Sequence, residues 1–140
     1  MDAHAGKHFP RPTPVSRPYW EGCREGRLLL QQCGSCGKHQ FYPRIMCSHC
    51  NGDTLAWVPA SGHGTVSSYT VVRRPVSPGY AADTPYVIAL IALAEGPTMM
   101  SNIIGCAPEA VSVGMPVEVS FEAWSEEISV PKFRPLAAPA

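Results

Sequence analysis

Four of the six cysteines fall in one stretch, CGSCGKHQFYPRIMCSHC, as the pairs Cys33–Cys36 and Cys47–Cys50 with ten residues between them. A C-x-x-C turn projects two sulfurs from one tight backbone knuckle, and two facing knuckles complete a tetrahedral site for a soft cation. Gly37 follows the first pair and Asn51-Gly52 the second, residue types that accept the left-handed backbone such knuckles need. Between them His39–Tyr42 reads as a short strand ended by Pro43, and Arg27–Gln32 is placed to pair with it. This is the pattern of a zinc ribbon. The expected cofactor is one structural Zn2+, and iron is the second choice. With four thiolate ligands there is no open position for water, so the metal is expected to fold the segment and not to catalyse. His39 and His49 read as loop residues beside a filled site. A thioredoxin-type redox motif needs a single C-x-x-C opening a helix in a βαβ setting, which is not visible here. Cys23 and Cys106 lack such partners: Cys106 reads as a small core residue, and Cys23 falls in a predicted helix with no His or acid placed to activate it.

The rest of the chain must position that site. Fifteen prolines and twelve glycines, spread at intervals through 140 residues, favour short strands and turns over long helices. Residues 1–16 carry Pro10, Pro12 and Pro14 and no apolar pattern, and read as a flexible arm. Pro18 opens a short helix that Gly26 stops, with Tyr19, Trp20 and Cys23 sharing one face. From Leu55 the pattern turns to strands: Leu55–Val58, Thr65–Arg74, Tyr86–Ala94, Thr98–Ile104, Val117–Phe121 and Ile128–Phe133. Residues 75–85 form a proline-rich loop, and Pro108–Val111 one helical turn. The run YVIALIALA predicts a strand buried on both faces, while Val117, Val119 and Phe121 alternate with polar neighbours. About five strands with one short helical connection suit a small closed barrel, of which the OB-fold is one type. The predicted organisation is an arm over 1–16, helix plus ribbon over 17–54, and a barrel over 55–140.

The formal net charge is zero, which gives no general pull towards nucleic acid or an anionic membrane. Residues 1–56 carry seven Lys/Arg against four acids (+3), and residues 57–140 four against seven (−3). The first sixteen residues contain no apolar signal region, and the longest apolar run is about half a membrane helix. A cytoplasmic protein is the expectation.

The order of short motifs is more specific than any one of them. Pro18-Tyr19-Trp20, Gly26-Arg27-Leu28, Gln32-Cys33-x-x-Cys36-Gly37 and Phe41-Tyr42-Pro43-Arg44 come first. Cys47-x-x-Cys50, Leu55-x-Trp57, Ser61-Gly62-x-Gly64-Thr65-Val66 and Tyr69-Thr70 follow, then Pro85-Tyr86, Gly114-Met115-Pro116-Val117 and Phe133-Arg134-Pro135. From about Arg17 to Pro135 the chain resembles the acyl-CoA-associated OB-fold proteins with a rubredoxin-like zinc ribbon. The resemblance implies a mainly β protein with a short N-terminal helix, the ribbon, and a small OB-fold barrel. It also implies an accessory role rather than independent catalysis. Partners in that family are thiolase-superfamily enzymes, including lipid-transfer-protein-like thiolases and aldolases, and in some cases MaoC-like hydratases. Some relatives have lost the zinc cysteines, and this chain keeps all four. His63 stands where the family more often carries a basic residue such as Arg.

On this reading the helix, through Tyr19 and Trp20, and the ribbon dock on the partner enzyme, and the barrel helps to hold acyl-CoA. Phosphates call for Arg or Lys. Arg73, Arg74, Lys132 and Arg134 are the only basic residues after residue 56, so they are the candidates, with Tyr80 as a cover for adenine or an acyl chain. The alternative is a nucleic-acid-binding zinc-ribbon and OB module, against which the −3 balance of the barrel half counts. Catalysis by the chain itself finds no nucleophile–base–orienter pattern among Cys23, Cys106, His63, Glu118, Glu122, Glu126 and Glu127.

Overall fold

The computed structural model describes residues 4–136. The first three residues of the expected arm and the last four of the expected barrel lie outside them.

One helix, α1 (Arg17–Arg24), precedes the strands. It starts a residue before the expected position, so Pro18 is its second residue, where a missing N–H is equally harmless. Thr13 and Ser16 hold the entry: the Thr13 amide donates to Ser16 Oγ (2.9 Å) and the Ser16 amide to Thr13 Oγ1 (3.1 Å). The chain turns away at Gly26, with Arg27 N–H returning to the Gly22 carbonyl (2.8 Å). Tyr19 and Cys23 face inward as anticipated, while Trp20 is half-buried.

The strands that follow form two sheets. β1 (Leu29–Cys33) lies between β2 (His39–Gln40) and β3 (Leu55–Pro59), antiparallel to both. β3 was expected to begin the barrel. It pairs instead with β1 along its whole length, from Leu29↔Pro59 to Cys33↔Leu55. A strand's side-chain pattern fixes its faces but not its neighbour.

The second sheet is a closed barrel of β4 (His63–Val72), β5 (Tyr86–Leu93), β6 (Thr98–Ile103), β7 (Pro116–Ala123) and β8 (Ser129–Pro135), in the order β4-β5-β6-β8-β7 with β7 returning to β4. β6 meets β8 in parallel at Ile103↔Phe133, and every other pairing is antiparallel. Five strands closed in this order, with a short 3-10 turn (Pro108–Ala110) between β6 and β7, make an OB-fold. The expected helical turn at Pro108–Val111 is that 3-10 turn. Within the loop after β4 a further 3-10 turn spans Pro78–Asp83.

The barrel interior is built by alternation. Val87, Ala89, Ile91 and Leu93 of β5 point inward and are buried, as are Val66, Met99, Ile103, Val117 and the fully buried Phe133. Each large side chain sealed in this way contributes about 1.5–3 kcal/mol. The expectation that β5 is buried on both faces is not met. Its outer residues Tyr86, Ile88 and Ala92 are half-exposed and Leu90 is exposed. A closed barrel covers only the inner face of each strand, so an unbroken apolar run here leaves an apolar outer surface. Opposite Leu90, Met100 of β6 is exposed on the same surface.

Tyr19 and Cys23 of α1 and Leu28 and Leu30 of the ribbon side belong to the same buried cluster as the barrel interior. Helix, ribbon and barrel therefore share one core. Among the described residues no helix is long and apolar enough to cross a membrane.

Candidate metal centre and the surfaces around it

The two cysteine pairs converge. Cys33 Sγ lies 3.6 Å from Cys50 Sγ, Cys36 Sγ lies 3.7 Å from Cys47 Sγ, and all four sulfurs are within 4.8 Å of one another. A tetrahedron with Zn–S bonds of about 2.3 Å has edges of about 3.8 Å, so the spacing fits one such cation. The knuckles are near copies. Gly37 N–H bonds the Cys33 carbonyl (2.8 Å) with φ +76°, and Asn51 N–H bonds the Cys47 carbonyl (2.9 Å) with φ +64°. The amides of Ser35 and His49 each donate to a sulfur, of Cys33 and Cys47 respectively, at 3.3 Å.

These amides favour thiolate. The Cys36 amide, with that of Ser35, holds the Cys33 pKa down to about 6. Cys47 is also lowered: burial opposes, but the His49 and Cys50 amides prevail. Cys50 goes the other way. The Gly52 amide pulls it down, yet the neighbouring sulfurs and burial push it up to about 12. Four thiols in contact compete for negative charge, and a divalent cation is what lets all four ionise together. His39 and His49 supply no ligand to the cluster. His49 Nε2 lies 3.2 Å from the His39 carbonyl.

Buried polar groups fix the loop between the knuckles, and these the sequence reading missed. Gln31 and Gln40, opposite each other on β1 and β2, are both buried. Gln31 Oε1 accepts from Gln40 Nε2 (2.6 Å) and from the Arg44 amide (2.9 Å), while its Nε2 donates to the Arg44 carbonyl (2.9 Å). Gln40 Oε1 accepts from the Ser48 amide (2.8 Å). The loop between the knuckles is thus fixed by its backbone, and its side chains face out. Ile45 is 75% exposed, and Met46 and Tyr42 also stand in solvent. The available signal was a pair of glutamines at facing strand positions.

The sequence-selected residues scatter around this frame. Tyr19 is 2% exposed and packs against the rings of Trp20, Phe41 and Tyr42. Trp20 keeps part of its ring outside, and its buried Nε1 has no partner among the described residues. Cys23 is fully buried, its pKa raised to about 12 by burial, which suits a core residue. Arg73 and Arg74 are exposed in the loop after β4. Arg134 pairs with Glu118 (3.1 Å). His63, at the start of β4, is exposed. Lys132 and Tyr80 do come together: both line a cleft of about 490 Å³ that reaches Val87 and Ile103, with Cys106 in its wall.

The N-terminal segment roofs that cleft, a contact its composition did not announce. His4 stacks on Trp124 with ring centroids 5.1 Å apart, and Phe9 tilts against the same indole. Lys7 pairs with Asp83 at 2.7 Å and lies 5.0 Å from the Tyr80 ring centroid. At Gly79 backbone meets backbone: a Cβ there would come within 2.6 Å of the Gly6 carbonyl carbon.

Comparison with known proteins agrees with this anatomy. Residues 20–56 match the family model described as the ChsH2 rubredoxin-like zinc ribbon domain, and residues 57–122 the ChsH2 C-terminal OB-fold domain. The chain belongs to the ChsH2 (DUF35) family. Its ribbon and barrel are those two family domains in the family's order. A DUF35 domain-containing scaffold protein of Pyrococcus furiosus is 36% identical over 110 residues, covering 78% of this chain and 79% of its own. A probable enoyl-CoA hydratase alpha subunit of Thermomonospora curvata is 35% identical over 129 residues, 89% of this chain. This chain spans only 40% of that subunit's length. Among solved structures, a chain of the Ltp2-ChsH2(DUF35) aldolase superposes with a TM-score of 0.80 at 34% identity, covering 90% of this chain and 98% of that one.

Proposed function

We propose that the protein is a non-catalytic accessory subunit that docks on a thiolase-superfamily enzyme, of the thiolase or aldolase kind, or on a hydratase. One observation carries this reading. The loop Tyr42–Met46 presents Tyr42, Ile45 and Met46 to solvent while Gln31 and Gln40 hold its backbone rigid. Exposed apolar residues on a flexible loop are common, but a fixed loop forfeits little entropy on binding and suits an interface. Trp20, beside it on α1, extends the surface. The relatives support the same reading, being named as a scaffold protein, a hydratase subunit and an aldolase assembly.

The metal is structural zinc, held by Cys33, Cys36, Cys47 and Cys50. Bound there, it supplies fixation of both knuckles. Acyl-CoA is the ligand the barrel helps to hold, with Lys132 and Tyr80 at the cleft and Arg73, Arg74 and Arg134 as outer contacts for phosphate. The nucleic-acid alternative would draw on the same four cations, and the −3 balance of residues 57–140 counts against it. The site of action is the cytoplasm.

The test is co-expression with a thiolase-like or hydratase partner. The wild-type chain is expected to co-purify in fixed stoichiometry with one zinc per chain. The double substitution Ile45→Glu/Met46→Glu is expected to keep the zinc and lose the partner at least tenfold. Co-purification undiminished by two buried charges would remove the loop from the interface.

A further inference from the structure

Lys132 stands on the outer face of β8 and yet is only 8% exposed. Its ammonium donates to Asn102 Oδ1 and lies 5.6 Å from the centre of the Trp124 ring. Asn102 is itself fixed, since its Nδ2 donates to the Val87 carbonyl at 2.8 Å, which leaves Oδ1 for the lysine. None of the ion pairs among the described residues involves Lys132. The acids that share the cleft have other donors: Asp83 takes Lys7, and Glu122 accepts from Trp124 Nε1 at 2.8 Å. A neutral amide and an indole face offset only part of the cost of burying a charge, and such a charge calls for a counter-ion. Burial lowers the Lys132 pKa despite the pull of Glu122 and Asp83.

An ammonium has three donors, and among the described residues one is used. The cleft beside it is walled by Tyr86, Val87, Ile103 and Ile104. A second cavity of about 230 Å³ shares Tyr80, Asn102 and Lys132 with the cleft and reaches Phe41 and Tyr42 of the ribbon. The lysine therefore sits where two spaces meet, the larger with this apolar wall on one side and the polar His4, Lys7, Asp83 and Glu122 on the other.

We infer that Lys132, positioned by Asn102, is the recognition point for a single anionic group, carboxylate or phosphate, on a ligand with an apolar body lying along Tyr86 and Ile104. This rests on the reading of the barrel as a ligand-holding element, but it does not require a CoA thioester. The same chemistry has two sources, a free carboxylic acid and a phosphate-bearing nucleotide.

The test titrates the zinc-loaded full chain by calorimetry with octanoate, adenosine 3′,5′-bisphosphate, 1-octanol and octanoyl-CoA. Octanoate or the bisphosphate is expected to bind one per chain, and whichever binds names the source. Octanol should bind at least tenfold more weakly. Lys132→Met should weaken the anion at least tenfold. Asn102→Asp, which places an internal carboxylate against the lysine, should do the same without removing the cation, so the inference stays testable if the first variant folds poorly. Failure of both anions at millimolar concentration would overturn it, as would both variants binding like wild type. Octanoyl-CoA binding that survives both variants would overturn this inference and leave the proposed function standing. Lysine-dependent octanoate binding without octanoyl-CoA binding would support it and remove acyl-CoA from the proposed function.

Discussion

The ribbon and the barrel solve the same problem with different materials. The barrel closes on itself and fills its interior with Val87, Ile91, Val117 and Phe133. The ribbon sheet has three strands, one of only two residues, and what it buries includes thiols and two glutamines. So small a sheet does not hide enough apolar surface to order itself, and it substitutes directional bonds for area. Apolar burial is tolerant of small shifts. Metal ligation and amide hydrogen bonds are not, so the ribbon is the part suited to present a surface in one fixed shape.

Perturbing each material in turn sharpens the contrast. The largest effect belongs to the metal. Cys47→Ser, or exhaustive chelation, removes a stabilisation on the order of 10 kcal/mol, and the ribbon is expected to unfold. Zinc content by plasma mass spectrometry and a thermal melt check it; a melt unchanged after zinc loss would place the ribbon's stability elsewhere. Next is Phe133→Ala. It opens a cavity at the barrel's centre and should cost about 3–5 kcal/mol in urea unfolding, with zinc still bound at one equivalent. Third is Gln31→Leu, which strands the Arg44 amide and carbonyl. About 1–3 kcal/mol is expected, with a larger loss in partner affinity than in stability; equal losses would mean that the loop's rigidity is irrelevant to docking.

The smallest effect is pH-dependent. Burial lowers the Lys132 pKa from its ordinary 10.5. Over the window between the lowered value and 10.5 the unfolded chain holds more protons than the folded one, so stability attributable to this group rises with pH. Urea melts at neutral pH and near pH 10 should show a gain in wild type that Lys132→Met lacks.

How far the sequence foretold this structure depended on the range of the interaction. The knuckles were legible because Cys33–Gly37 and Cys47–Gly52 encode their geometry within a few positions. The inner face of β7 was legible for the same reason, since alternation is local. What failed was anything needing a distant partner. Leu55–Pro59 announced a strand but not that it joins β1. The hydrophobicity of Tyr86–Ala94 announced burial but not that the barrel covers one face only. His4, Lys7 and Phe9 gave no sign of Trp124, and Gln31 pointed to Gln40 only once β1 and β2 were set in register. Lys132 and Arg134 look alike in sequence, two positions apart on one strand, yet one is sealed beside Asn102 and the other paired in solvent with Glu118.

The single core has a practical meaning for recombination. Tyr19, Leu28 and Leu30 interlock with residues of the barrel interior, so the two family domains meet along a fitted seam rather than a hinge. A chimera taking residues 20–56 from one relative and 57–122 from another would bring together surfaces shaped for different counterparts. Swaps that carry the seam residues of both domains together should yield soluble protein, and swaps cut cleanly at the boundary should not.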